Sequence, residues 1–482
     1  MRILSILLLV LCLLAPRLFY GFNVYKLWDE KSVINLIASI GIVGDSGAYF
    51  LSEAVESFNG LSEFLGTTIK RVMFLLSMIL SVLLVFVSCL FSYQKILFKR
   101  YAFAVGFLLS IHPLLVWLSG EPDIHHFSGT LFSLGVLICL LNPMRFFLHS
   151  VMGVLFIIFS IFISPSLFTL AMIFYLSIFL SNIGDFSISS GSKEASPFNI
   201  VTGLGFLVTV FMVSILSKGD NFFNVAPKTI TQTLIGISSF IINDDFLLNL
   251  KFLSRNLVKA YYSPVILIAP LFLFFQKVRV RELLPVLVVG VSSPVVGMVS
   301  IAQSNYHFLY SSVALLTICT VFALREFLKL QRVPFVKGFF LFVLVGVLLG
   351  GLVVRTRRDY HRRQSMNEMG QYLNSIPGID HQILHTPFGQ RLPVEGFSKV
   401  VQAKAIRLRK IPLIFKEDLS RLVLTEPVVY LFIDDYFIYE AYWRGDFWRK
   451  SEILSKDVRV ELLKTFNDDS PNVGRLFKVS RK

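Results

Sequence analysis

Apolar residues run through this chain in blocks long enough to cross a bilayer, and polar residues gather between the blocks. The blocks lie near 3–22, 72–93, 102–119, 128–143, 147–163, 166–182, 200–217, 263–276, 283–301, 306–324 and 338–354. Runs of about 18 or more apolar residues match a hydrocarbon core roughly 30 Å thick. The stretch 147–182 divides at Ser164-Pro165-Ser166, because proline ends one helix and opens the next. This pattern predicts an α-helical polytopic membrane protein with about eleven transmembrane helices. Met1-Arg2 and the apolar run Ile3 to Ala15 have the look of a signal peptide. Pro16-Arg17 follows where a small-residue cleavage site belongs, so an uncleaved first span is expected.

Beyond residue 354 the pattern changes. Tyr360 to Leu373 reads as a helix closed by Asn374-Ser375-Ile376-Pro377-Gly378. Short apolar runs at 382–385 and 427–433 then read as strands. Such alternation predicts a small α/β domain over 355–482, after a transmembrane domain over 1–354. Two connections inside the latter are long, 23–71 and 218–262. Their apolar stretches, Val33 to Ile42 and Tyr49 to Phe64 in the first, suit helices lying along a membrane surface.

Composition supports this division. Of 482 residues, 55% are hydrophobic and 16% charged, against about 25% charged in a soluble domain; the mean hydropathy is +0.69. The 46 basic residues exceed the 31 acidic ones, but their places argue for cytoplasmic loops and a basic tail rather than nucleic acid. Lys95, Lys99, Arg100, Arg145, Lys193, Lys277, Arg279, Arg281, Arg325, Lys329, Arg332 and Lys337 occupy alternate connections. Those connections are expected inside, with the N-terminus cytoplasmic and the C-terminal domain outside, in the inner (plasma) membrane. The tail has 23 basic against 16 acidic residues, a net +7, which suits anionic lipid or lipid-linked phosphate. All four cysteines, Cys12, Cys89, Cys139 and Cys319, fall in spans, with no disulfide or metal spacing.

Candidate chemistry gathers in the external connections. Gly44-Asp45-Ser46-Gly47-Ala48-Tyr49 precedes the second span, and Gly120-Glu121-Pro122-Asp123 follows the third. Carboxylates at a bilayer edge are costly unless used or solvated. A sugar transfer on this side needs a donor that crosses with its lipid, such as a polyprenyl-phosphate sugar. It also needs a carboxylate base for the acceptor hydroxyl and cations or hydrogen-bond donors for the departing phosphate. Asp45 fits the base, and with Glu121 it suits a divalent metal ion, magnesium or manganese. Asp123, His125 and His126 extend the second acidic loop, and Tyr306 and His307 open the tenth span at the same level. His112 lies deeper, where a buried histidine satisfied by neighbouring backbone is expected.

Gly44-Asp45-x3-Tyr49-x4-Ala54 resembles the first-loop signature of the GT-C integral-membrane glycosyltransferases, in the group of protein O-mannosyltransferases and aminoarabinose transferases. His112-Pro113-Leu114-Leu115-x2-Leu118-Ser119-Gly120-Glu121 is similar to that group's Pro-x-hydrophobic-x-Ser-x-Glu stretch. The resemblance implies an inverting hexosyl- or pentosyltransferase of the cell envelope, with Asp45 as base. It would move a sugar from polyprenyl phosphate to a glycan, lipid or protein acceptor and carry a periplasmic domain. Ser164 and Asn305 stand where the group often has basic residues. Lys218, Lys228, Arg255 and Lys259 of the 218–262 connection, with Tyr306 and His307, are the expected substitutes around the phosphate. Two rivals remain: a non-catalytic membrane assembly factor, and a polysaccharide transporter or flippase. A transporter is expected to show broken helices and charges inside spans; in this sequence the charges read as confined to loops.

Overall fold

The structure is a computed structural model. It describes residues 2–25, 69–96, 99–120, 124–141, 147–164, 167–186, 203–211, 261–275, 283–299, 306–330, 334–376, 383–386, 402–405, 428–434, 458–467 and 473–481. The expected surface helices in 23–71, and nearly all of 218–262, lie outside these. Most described residues are helical, and a small sheet follows the last helix.

The helices are α1 (Arg2–Tyr25), α2 (Ile69–Ile96), α3 (Lys99–Ser110), α4 (Pro113–Gly120), α5 (Ile124–Leu140), α6 (Phe147–Ile163) and α7 (Phe168–Phe186). There follow α8 (203–211), α9 (Pro264–Ile268) with a 3-10 turn over Ala269–Phe275, α10 (Leu284–Val299), α11 (Tyr306–Leu330) and α12 (Pro334–Ser375). Among the described residues, Phe74–Gln94 and Tyr310–Phe327 are long and apolar enough to cross a membrane, and seven other apolar helical stretches are shorter. The division at Pro165 is as expected, between α6 and α7. The third block departs from expectation. It is two helices, α3 and α4, separated at Ile111-His112. The last block also departs, because α12 runs unbroken to Ser375 through the stretch read as a separate helix.

The chain forms two units, one with Met1–Phe19 and Met73–Leu352, the other with Val353–Lys482. The first buries a continuous apolar core through Leu84, Leu109, Phe132, Ile157, Phe174 and Leu316. Its outward faces are also apolar: Leu148, Phe179, Phe211 and Phe342 are all more than half exposed. A hairpin of α5 and α6 crosses at glycines. A Cβ on Gly135 would sit 2.7 Å from the Gly153 carbonyl oxygen, and one on Gly153 would sit 2.6 Å from the Cys139 nitrogen. Only bare backbone permits that approach.

The second unit holds a five-stranded sheet of β1 (Ile383–Thr386), β2 (Gln402–Ala405), β3 (Val428–Asp434), β4 (Val458–Phe466) and β5 (Gly474–Arg481). The order is β2-β1-β3-β5-β4. β1 pairs in parallel with β2 and β3, and β5 is antiparallel to β3 and β4. Tyr430, Phe432, Phe466 and Leu476 bury one face against Met369 and Leu373 of α12. Gly474 lets helix and sheet meet, since a Cβ there would lie 3.1 Å from Ser365 of α12. The turn after β4 is pinned by Asn467, whose φ is 60° and whose Nδ2 donates to the His361 carbonyl at 3.2 Å.

Candidate functional site

The gap between α3 and α4 is set by Ser110-Ile111-His112-Pro113. Pro113 has no N–H to give back to the previous turn, so it suits the first position of a new helix. His112 caps that helix: its Nδ1 accepts from the Leu114 N–H at 3.2 Å. A ring that accepts at Nδ1 carries its proton on Nε2. The ring also interacts with the backbone of Tyr261, without a well-formed hydrogen bond at Nε2. The histidine is fully buried, in accord with the expected backbone-satisfied core residue.

In an unbroken helix Leu114 N–H would pair with the Ser110 carbonyl. That carbonyl instead receives Arg17 Nη1 at 2.9 Å. Arg17 Nη1 also donates to Leu13 O at 2.8 Å, and Nε donates to Ser81 Oγ at 3.0 Å. Ser81 passes the chain of bonds on to Leu115 O at 3.3 Å. Arg17 is fully buried, and no carboxylate pairs with it among the described residues. Its Nη2 and the hydroxyl of Ser77, one turn from Ser81, have no hydrogen-bond partner among the described residues. Arg17 corrects the expectation that charges are confined to loops. The signal was present in the sequence, as an arginine inside the apolar run 3–22.

A second polar layer joins three helices and Tyr261. Ser133 of α5 donates to Ser311 O at 2.7 Å, and Ser293 of α10 shares a 2.6 Å hydroxyl contact with Ser311. Tyr261 is hydrogen-bonded to Ser312. Two positions before Ser312 on α11, Tyr310 lies against Trp117 of α4, with ring centroids 6.0 Å apart and planes tilted by 48°. Trp117 is four residues before Glu121, and Tyr310 four after Tyr306. The end of α4 and the start of α11 therefore share one end of the bundle. α5 begins three residues beyond α4, so Ile124 belongs to that end as well.

These contacts bring together part of the expected site. His125 and His126 occupy the first turn of α5, and Tyr306 and His307 the first turn of α11. Glu121 and Asp123 fall in the three-residue connection between α4 and α5, which lies outside the described residues. Asp45, Tyr49, Lys218, Lys228, Arg255 and Lys259 lie outside them too, and with them the proposed metal pair Asp45 and Glu121. Among the described residues no three histidine, cysteine or acidic side chains gather as metal ligands. Reading the sequence missed Arg17, Ser81 and the serines of α10 and α11. Serine inside an apolar helix carries no periodic signal that separates a cross-helix bond from a local one. The chain matches no protein-family model, and no curated protein is significantly similar to it.

Proposed function

We propose that the chain is a polytopic membrane glycosyltransferase of the GT-C kind, using a polyprenyl-phosphate sugar outside the membrane. The observation that carries this reading is the Trp117–Tyr310 contact. It brings the end of α4 beside the start of α11, which supports a common site for the first helical turns that carry His125, His126, Tyr306 and His307. The exposed apolar faces of α6, α7, α8 and α12 support a bilayer as their solvent, because contiguous apolar surface of that extent is foreign to water-facing proteins. About eleven spans, a cytoplasmic N-terminus and an external 355–482 domain complete the reading.

In this mechanism the Asp45 carboxylate takes the proton of the acceptor hydroxyl as that oxygen bonds to the anomeric carbon. The bond from that carbon to the phosphate oxygen breaks, and polyprenyl phosphate leaves with the electron pair. Attack opposite the leaving group inverts the centre. Cations from 218–262, with Tyr306 and His307, hold the phosphate. A magnesium or manganese ion on Asp45 and Glu121 would add positive charge there.

The test is sugar transfer by purified full-length protein in nanodiscs, with a radiolabelled polyprenyl-phosphate sugar and envelope acceptors. Asp45→Asn should lower turnover by about 10²–10⁴-fold with donor binding kept. Wild-type turnover in that variant removes the mechanism. A transport reading draws on different observations, the buried Arg17 and the interrupted third span, both marks of transporters. It expects lipid-linked substrate to change leaflet in proteoliposomes with no sugar transferred.

A further inference from the structure

Two side chains divide between them a hydrogen bond that the third span lacks. Leu114 N–H goes to His112 Nδ1, and its would-be partner, the Ser110 carbonyl, goes to Arg17. Three other backbone hydrogen bonds close around the gap, and none joins Leu115 N–H to the Ile111 carbonyl. Ile111 N–H reaches Phe107 O at 3.2 Å, His112 N–H reaches Leu109 O at 3.4 Å, and Val116 N–H reaches His112 O at 3.0 Å. Pro113 alone would leave a kinked helix with this one bond intact. The interruption is held instead by a donor from α1 and a cap from the span itself. Arg17 is tied to α1 through Leu13 and to α2 through Ser81, so α4 is referenced to three helices at once.

We propose that Arg17 is a positioning residue. With His112 it holds the break between α3 and α4, and so sets where the far end of α4 lies. The role in catalysis rests on the glycosyl-transfer reading; the joint itself does not. Losing either side chain leaves a buried backbone group without a partner, which is unfavourable. The nearest relief is for Leu114 N–H to return to the Ser110 carbonyl and draw α4 towards the α3 axis. From His112 to Gly120 the lever is about 12 Å long. A swing of about 20°, the onset of a sharp kink, therefore displaces the far end by roughly 4 Å. Misplacement by about 1 Å near a reacting centre already lowers rates about 10²-fold.

The experiment compares full-length protein in nanodiscs by hydrogen exchange over 107–120 and by sugar-transfer kinetics. His112→Ala strips the Leu114 N–H of its acceptor and should speed exchange there about tenfold, the scale of one lost hydrogen bond, whereas Arg17→Met strips only a carbonyl and should leave that N–H on His112. Each should lower kcat about 10²-fold. His112→Asn keeps a side-chain acceptor for Leu114 N–H and should stay near wild type in both. Arg17→Met combined with His112→Ala frees both halves of the bond to pair with each other. Its exchange should return to the slow wild-type range while kcat stays low, a pattern that loss of folding does not produce. Unchanged exchange in His112→Ala, unchanged kcat in Arg17→Met, or fast exchange in the double variant overturns the proposal. Absence of any transfer by wild-type protein would sink the enzymatic reading and leave the exchange comparison to decide the joint.

Discussion

Arg17 Nη1 lies 2.9 Å from the carbonyl oxygen of Ser110, 93 positions along the chain. This contact ties the first span to the interruption of the third. An arginine within an apolar segment is normally placed against other polar groups or a functional path. Here it meets two carbonyls and a serine hydroxyl, and every one of those contacts is buried or partly buried. The charge is thus used to hold backbone geometry.

The α5–α6 crossing makes a first prediction. A methyl group at Gly135 or Gly153 meets backbone atoms at 2.6–2.9 Å, and backbone does not rotate away. Gly153→Ala should destabilise the protein by about 1–3 kcal/mol, the range for overpacking. Gly346 of α12 has open space where a Cβ would go, so Gly346→Ala should be neutral or stabilising by up to about 1 kcal/mol. Thermal unfolding in one detergent compares them. Equal midpoints for the two variants would remove the crossing as a close-packed contact.

Apolar run length made most helices legible. The blocks at 72–93 and 306–324 correspond to α2 and α11, and Pro165 marks the α6–α7 division. Strands β1 and β3 were legible because their runs are apolar and bounded by turn residues. β4 and β5 were not: Arg459, Glu461, Lys464, Arg475 and Lys478 interrupt them, and cross-strand pairing overrides that polarity. The third span misled because its hydrophobicity continues across Ile111-His112, while helical continuity depends on backbone bonds. Pro113 pointed to the gap, and only the position of Arg17 shows how it is held. The candidate site was legible only as separate segments. Their meeting depends on Trp117 and Tyr310, which sequence spacing does not connect.

Tyr430 gives a prediction at alkaline pH. Burial pushes its phenol above the ordinary range, with the neighbouring Tyr372 adding to the shift. The folded state therefore holds the proton more tightly than the unfolded chain. Its contribution is full below the unfolded value of about 10 and is lost as pH rises through the higher folded value. Tyr430→Phe has no such proton to lose. In chemical denaturation of the full chain, the wild-type midpoint should fall more steeply above pH ~10 than that of the variant. Parallel curves would mean that Tyr430 titrates alike in both states.

Orientation is tested at Ser470. With the N-terminus inside and eleven spans, residues 355–482 face outward. Ser470→Cys should react with an impermeant thiol reagent in intact cells or spheroplasts, whereas the four native cysteines all lie in apolar helices. Reaction only after lysis would reverse the topology and place Asp45 on the cytoplasmic side, where nucleotide sugars are present. The lipid-linked donor would then lose its rationale.

The meeting of α4 and α11 can be measured without substrate. Glu121 and Tyr306 each lie four residues, about 6 Å along a helix, from the Trp117–Tyr310 pair. The described end of α4 and the start of α11 share one bundle end. Glu121→Cys with Tyr306→Cys, in a background with Cys12 and Cys89 replaced by serine, should be joined by a bis-maleimide of about 10 Å reach, within the span of three extended residues. The same reagent should not join Glu121→Cys to a cysteine at Leu330, because Leu330 ends α11, 24 residues or about 36 Å from Tyr306. Efficient closure of the first pair, with none in the second, supports a common site for the acidic connection and the Tyr306-His307 turn. Failure of the first pair in protein that still unfolds cooperatively would separate Glu121 from the phosphate-binding end, leaving Asp45 without its neighbouring carboxylate.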